Sequence, residues 1–243
     1  MSNQNFAILI QGPLNQILLD SIPHYLRWSN VILSTCSPTN DKDEQLLYII
    51  ESNKSEKLTI THKPIEDYQW FNSHNIYRQA ISTLRGLELC DTKFVIKVRS
   101  DEFFETLEPF WSLLDKDKLV CSDFFYDGGY PFQISDHIIA STTENLRRTF
   151  DVVKMWCECI CQHSDRFIPN GRWFGLDFDP VTEAIIFSSF LRSKRIIPTK
   201  VMSEKYKRRY TTVIPSTELG YYVAISNHTR KYYTNTAPKG VDF

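Results

Sequence analysis

An α/β domain on a mostly parallel sheet is what this sequence predicts, and three observations carry the prediction. Short apolar runs at Phe6–Ile10, Val31–Ser34, Lys57–His62 and Phe94–Val98 read as strands. Stretches of helical spacing lie between them, and strands alternating with helices form a parallel sheet through right-handed crossovers. Lastly, the fourth run breaks abruptly into charge at Lys97-Val98-Arg99-Ser100-Asp101-Glu102, as expected where a strand's carboxyl end meets a ligand site.

Taken in order, Phe6–Ile10 is ended by Gln11-Gly12-Pro13, and Leu14–Trp28 has helical spacing with Pro23 as a kink or break. Asp41–Asn53 is amphipathic, with Asp41 or Asp43 placed to suit the helix dipole. Pro64 ends the third strand. Ser73–Leu89 is the clearest helix: Ser73 is its N-cap, and Ile76, Ala80, Ile81, Leu84 and Leu87 form one stripe. Beyond residue 105 the pattern becomes mixed. Leu119–Phe125 and Ile134–Ala140 read as strands, separated by a turn at Tyr126–Pro131. Thr142–Cys161 reads as a helix starting from Ser141, Thr142 or Thr143. A Gly- and aromatic-rich loop at Phe167–Phe178 precedes a helix at Pro180–Arg192 with proline in its first turn. From Ile196 onward, short strands and loops are expected.

The 243 residues are 42% hydrophobic and 14% aromatic, enough for one sizeable core and against disorder. With no repeats and no linker, the chain reads as one domain, residues 1–243, with a ligand-binding half (1–105) and a second half (106–243) ending in a basic tail. A formal net charge of −1 argues against general nucleic-acid binding. No apolar run approaches the roughly 20 residues that cross a bilayer. Phe6–Ile10 is too short for a signal peptide and lacks a basic start, so the expectation is a cytoplasmic protein, with peripheral contact at the inner membrane face left open. Cys36, Cys90 and Cys121 read as reduced core residues. Cys157, Cys159 and Cys161 cannot chelate one zinc together from a helix, because Cys159 points away from the other two.

Several groups could carry chemistry. Gly12 lets the backbone of Gln11-Gly12-Pro13 approach a ligand closely. Arg78, within Asn75-Ile76-Tyr77-Arg78-Gln79 at the start of a helix, could meet a phosphate bidentately. Asp136 lies in a strand-like run beside His137, and a buried Asp needs a partner. Glu183, one turn into a helix beside Ile185 and Ile186, could have a raised pKa and act as a general base, or serve only as part of a helix cap. The acidic pair Asp101 and Glu102 could hold a divalent cation. Lys205, Lys207, Arg208 and Arg209, interleaved with Tyr206 and Tyr210 and followed by His228, Arg230 and Lys231, suit an anionic ligand. His24 and His163 read as structural. Neither a GxGxxG run nor a P-loop signature is present.

With these residues in view, the chain resembles the WavE family of lipopolysaccharide-synthesis proteins, within the GT-A-type, Rossmann-like glycosyltransferases. The resemblance covers about the first 190 residues. It rests on Ile10-Gln11-Gly12-Pro13, Ile32-Leu33-Ser34-Thr35, Asn75-x-x-Arg78-Gln79 with Thr83 and Gly86-Leu87, Lys97-x-Arg99-Ser100-Asp101-Glu102, Ile134-Ser135-Asp136 and Pro180-x-x-Glu183. It implies a GT-A-like sheet flanked by helices with a mixed C-terminal part. It also implies transfer of a sugar from a nucleotide-diphosphate donor to a growing surface polysaccharide or lipopolysaccharide.

The residues implied for the donor are Gln11, Gly12, Pro13, Ser34, Thr35, Asn75, Arg78, Gln79, Lys97, Arg99 and Arg230, with Glu183 or Asp136 as base or acceptor-orienting group. Asp101, Glu102 and His228 are the implied metal ligands for Mn or Mg, His228 and Arg230 belonging to a C-terminal stretch that closes over the diphosphate. The chain departs from the family's Asp-x-Asp motif: Arg99 stands where the first Asp would be, which leaves the metal requirement open. Two other classes remain: a sugar nucleotidyltransferase-type enzyme, and a non-catalytic glycan-binding protein on a degenerate transferase fold.

Overall fold

In β1 (Phe6–Gln11), Phe6, Ile8 and Ile10 pack to one side while Ala7 and Leu9 pack to the other, and every residue of the strand is buried. That two-residue alternation, apolar both ways, is the signature of a strand covered on both faces. The computed structural model describes residues 5–53, 55–64, 76–114, 117–123, 131–162, 182–220 and 222–224, the side chains of 160–162 and 222–224 excepted. Ser73, Asn75, the Tyr126–Tyr130 turn, His163, the Phe167–Phe178 loop, Pro180, His228, Arg230 and Lys231 lie outside the described residues.

The architecture is α/β. Seven strands form one sheet in the order β3-β2-β1-β4-β7-β6-β8: β2 is Asn30–Thr35, β3 Leu58–His62, β4 Phe94–Arg99, β6 Leu119–Ser122, β7 Ile138–Thr142 and β8 Thr211–Ile214. β1 to β4 are parallel, β6 and β8 run with them, and β7 is antiparallel to both its neighbours. The sheet thus draws strands from both halves of the chain. A separate two-stranded ribbon pairs β5 (Glu102–Phe104) with β9 (Tyr222–Ala224).

Helix α3 (Ile76–Glu88), α5 (Thr143–Gln162) and α6 (Thr182–Ser193) cover one face, burying Ala80, Leu84, Phe150, Val153, Ile186 and Phe187 with Leu9 and Val95. The other face is covered by α1 (Leu18–Tyr25), α2 (Asp41–Ser52) and α4 (Glu108–Ser112), through Leu18, Ile22, Tyr25, Leu46, Ile50 and Phe110. Gly86 lets α3 lie close to the sheet, since a Cβ there would collide with Leu9 Cδ1. No helix among the described residues is long and apolar enough to cross a membrane.

Several boundaries differ from expectation. The first helix is shorter than Leu14–Trp28 and runs through Pro23, ending two residues later; the proline removes one backbone donor but does not break so short a helix. Asn40 caps α2 by accepting from Asp43 N at 3.0 Å. Thr142, one of three candidates, caps α5 through Asn145 N at 3.1 Å. The strand expected at Ile134–Ala140 begins only at Ile138, so Ser135, Asp136 and His137 precede it. The tail expected as strands and loops instead folds into α7 (Ser203–Tyr210) before β8, with Lys207 buried on its inner side.

Candidate active site

The chain moves outward from β1 through β2 to β3, then returns to the other side of β1 at β4. This reversal makes the carboxyl ends of β1 and β4 a topological switch point, where open α/β sheets hold their ligands. Gln11 and Arg99 are register partners there, and Leu9 pairs Lys97 two residues back. Because Leu9 packs toward α3, α5 and α6, strand alternation directs Gln11, Lys97 and Arg99 to that same face.

The direction of β7 brings in the acidic partner. Val98 pairs with Ile138 in an antiparallel register, so the residues entering β7 lie beside the end of β4. Lys97, fully buried, donates from Nζ to the Asp136 carbonyl at 2.8 Å. Gln79 of α3 donates from Nε2 to Asp136 Oδ2 at 2.8 Å. His137 Nδ1 bonds Glu102 Oε1, and its Nε2 lies 3.9 Å from Asp136 Oδ1. Arg99 clasps Asp101 bidentately, from Nε and Nη2 to the two carboxylate oxygens at 2.9 Å each, with Nε 3.6 Å from Glu102 Oε1.

These contacts set the protonation of the cluster. For Asp136, burial favours the neutral acid, but His137, Lys97, Arg99 and the Gln79 hydrogen bond outweigh it and hold the carboxyl at about 2. Burial also pushes the Lys97 ammonium down, to about 8, against the attraction of Asp136. Burial disfavours charge on His137 as well, yet Glu102 and then Asp136 raise it above its ordinary value. Glu183, at the start of α6, moves the other way: burial and then the Asp136 charge push it up to about 7. Two carboxyl groups in one electrostatic neighbourhood are thus driven far apart, which is how acid and base roles are separated.

The loop after β1 is anchored over this edge. Ser100 N donates to Gln11 O at 2.9 Å, and Ser100 Oγ donates to Pro13 O at 2.7 Å. Gly12 has φ +142°, and a Cβ on it would collide with Ser100 Oγ. Gly12→Ala should therefore lower stability by about 1–3 kcal/mol. Urea denaturation measures this, and an unshifted midpoint would show that the loop adapts.

Other predicted residues sit elsewhere. Arg78 is exposed on α3, so Gln79 rather than Arg78 reaches Asp136. Ser34 is buried and donates to Ser82 O at 2.5 Å, turned into the α3 packing. Thr35 is buried, its Oγ1 without a hydrogen-bond partner among the described residues. His24 packs against Trp28 and Phe103 and bonds the Glu105 carbonyl, a structural role as expected.

The implied metal fits this donor set poorly. Both Asp101 oxygens already accept from Arg99, and Glu102 Oε1 is taken by His137, leaving buried Glu102 Oε2 as the one unpartnered oxygen of that acidic pair among the described residues. No group of three or more His, Cys, Asp or Glu suited to a metal ion occurs among them.

Sequence reading overlooked two contributors. His137 stood beside Asp136, but nothing local signals its pairing with Glu102, 35 positions away. Ser100 lay inside the charged hexapeptide with no sign that it anchors the β1 loop. Against known proteins, the chain matches no family model and no curated sequence.

Proposed function

We propose that this chain is a glycosyltransferase that moves a sugar from a nucleotide-diphosphate donor to a glycan acceptor. The observation that carries the reading is the convergence, at the switch point between β1 and β4, of a carboxyl poised near neutrality (Glu183) with an ionised one (Asp136) and cationic Arg99. Transfer from a diphosphate donor needs charge stabilisation on the leaving group and, for inversion, a base at the acceptor hydroxyl. In this reading Glu183 accepts the acceptor's proton as the new glycosidic bond forms and the anomeric carbon–phosphate oxygen bond breaks. Arg99, with guanidinium hydrogens beyond those given to Asp101, faces the departing diphosphate. Asp136 orients the acceptor, and Lys97 and Gln79 hold Asp136 in place. Gln11 and the Gly12–Pro13 backbone line the donor side.

A panel of nucleotide sugars, read first by thermal shift and then by transfer, tests this. At about a hundred times its Kd, a true donor should raise Tm by about 5–10 °C. Because Arg99 occupies Asp101, the shift should survive EDTA and gain little from Mn. A shift without turnover on any acceptor would favour the non-catalytic glycan-binding alternative. No shift with any nucleotide sugar, but turnover of a nucleoside triphosphate with a sugar phosphate, would move the protein to the nucleotidyltransferase class.

A further inference from the structure

Away from this edge, the charge of the molecule is strongly uneven. Between residues 192 and 209 there are eight cationic side chains and one anion, Glu204, in a chain that carries 28 cationic and 29 anionic residues in all. Glu204 is itself neutralised, since its Oε1 lies 2.6 Å from the buried Nζ of Lys207. Arg195, Lys200, Lys205, Arg208 and Arg209 are exposed. Lys205, Arg208 and Arg209 stand three and four positions apart on α7 and so share its outer face, opposite Lys207. Immediately before α7, Ile197 and Val201 are 79% and 95% exposed, the two most exposed large apolar side chains among the described residues. A turn with two bare aliphatic tips beside a basic helix face is costly in water unless something covers it.

We propose that residues 195–209 form a docking surface for an anionic membrane. The cations match the negative headgroup layer, and Ile197 and Val201 insert at the boundary beneath it; neither signal alone gives stable attachment, but the pair does. Nucleic acid would satisfy the charge but would leave two aliphatic side chains with nothing to stack on. The segment begins and ends at the edge of the sheet where β6 starts, while Ser203 in its middle accepts from Phe132 N at 2.7 Å. Lys194 Nζ meets Asp117 Oδ1 at 3.9 Å just ahead of β6, and Thr211 pairs with Leu119 at the start of β6. The inference is independent of the chemistry proposed for the candidate active site.

The full chain should co-sediment with phosphatidylcholine vesicles containing about 30% phosphatidylglycerol and not with phosphatidylcholine alone. Lys205→Glu combined with Arg208→Glu, which spares Arg209 over the Tyr210 ring, should lower the partition coefficient at least about tenfold. Ile197→Ser with Val201→Ser should remove the bound fraction that resists about 0.5 M salt, because apolar insertion is not screened. Both variants should keep the parent's melting temperature. Absence of binding, equal binding to neutral vesicles, full binding by the Lys205/Arg208 variant, or stripping from anionic vesicles by a single-stranded oligonucleotide would each overturn the proposal.

Discussion

Replacing Glu183 with glutamine is expected to lower the proposed sugar transfer by about 10²–10⁴-fold while leaving affinity for the proposed donor nearly unchanged. The substitution keeps shape and hydrogen-bonding capacity but removes the atom that accepts the proton. In the parent protein, the group sits at about 7 because burial and the Asp136 charge disfavour its ionised form. It therefore acts as a base only above that value, and kcat/KM should fall as pH drops through 7. The glutamine variant should lose that inflection.

Stability should move oppositely to activity. A carboxyl whose folded pKa is raised binds its proton more tightly in the native state, so native stability declines as pH rises from the unfolded value toward 7. Above pH 7 the parent holds a disfavoured charge that glutamine lacks, so the variant should be more stable there by on the order of 2–3 kcal/mol. Denaturant melts at pH 5 and pH 8 separate the cases: a gain confined to pH 8 is expected, and an equal change at both would remove Glu183 from the titrating role. A variant that is stabler yet inactive is what a strained functional group produces.

The second large effect is expected at Asp136. Its buried carboxylate faces His137, Lys97 and Arg99, and Asp136→Ala would leave those charges without their shared counter-ion. Removing one member of a buried ionic group costs about 3–5 kcal/mol. Adding Lys97→Met to Asp136→Ala should recover part of that loss, because the most deeply buried cation is then gone too. A double variant no more stable than Asp136→Ala would show that Lys97 and Asp136 are not coupled. The depressed pKa gives the sign with pH. The Asp136 contribution is fully present above the ordinary carboxylate range and is lost as pH falls toward about 2, so the parent and Asp136→Ala should converge in stability in strong acid.

Much of the scaffold could be read directly from residue order. The first four strands, their alternation with helices and the charged break after Val98 all come from local periodicity, and Gly12, Arg99 and Glu183 were singled out from the same patterns. The tail is harder: Lys205–Arg209 reads as part of a strand-and-loop segment suited to an anionic ligand because charge masks helical spacing, and the burial of Lys207 shows only once α7 packs beside β8. Asp136 reads as part of a strand, since Ile134-Ser135-Asp136-His137 alternates like one, whereas β7 begins only at Ile138. The resemblance places Gln79 with the donor, and its tie to Asp136 shows only in the folded chain.

Residue order alone establishes an α/β chain of alternating strands and helices, with charge gathered where the fourth strand ends. The direction of β7 lay beyond its reach. A strand of either direction satisfies the same alternation, and the choice depends on connections and pairing between segments about 40 residues apart. By running against its neighbours, β7 starts where β4 finishes, and so Asp136 and His137 meet Lys97, Arg99, Glu102 and Glu183. The pKa values of about 2 and about 7 follow from that meeting, because burial and proximity of charges are properties of the packed molecule and not of any residue by itself.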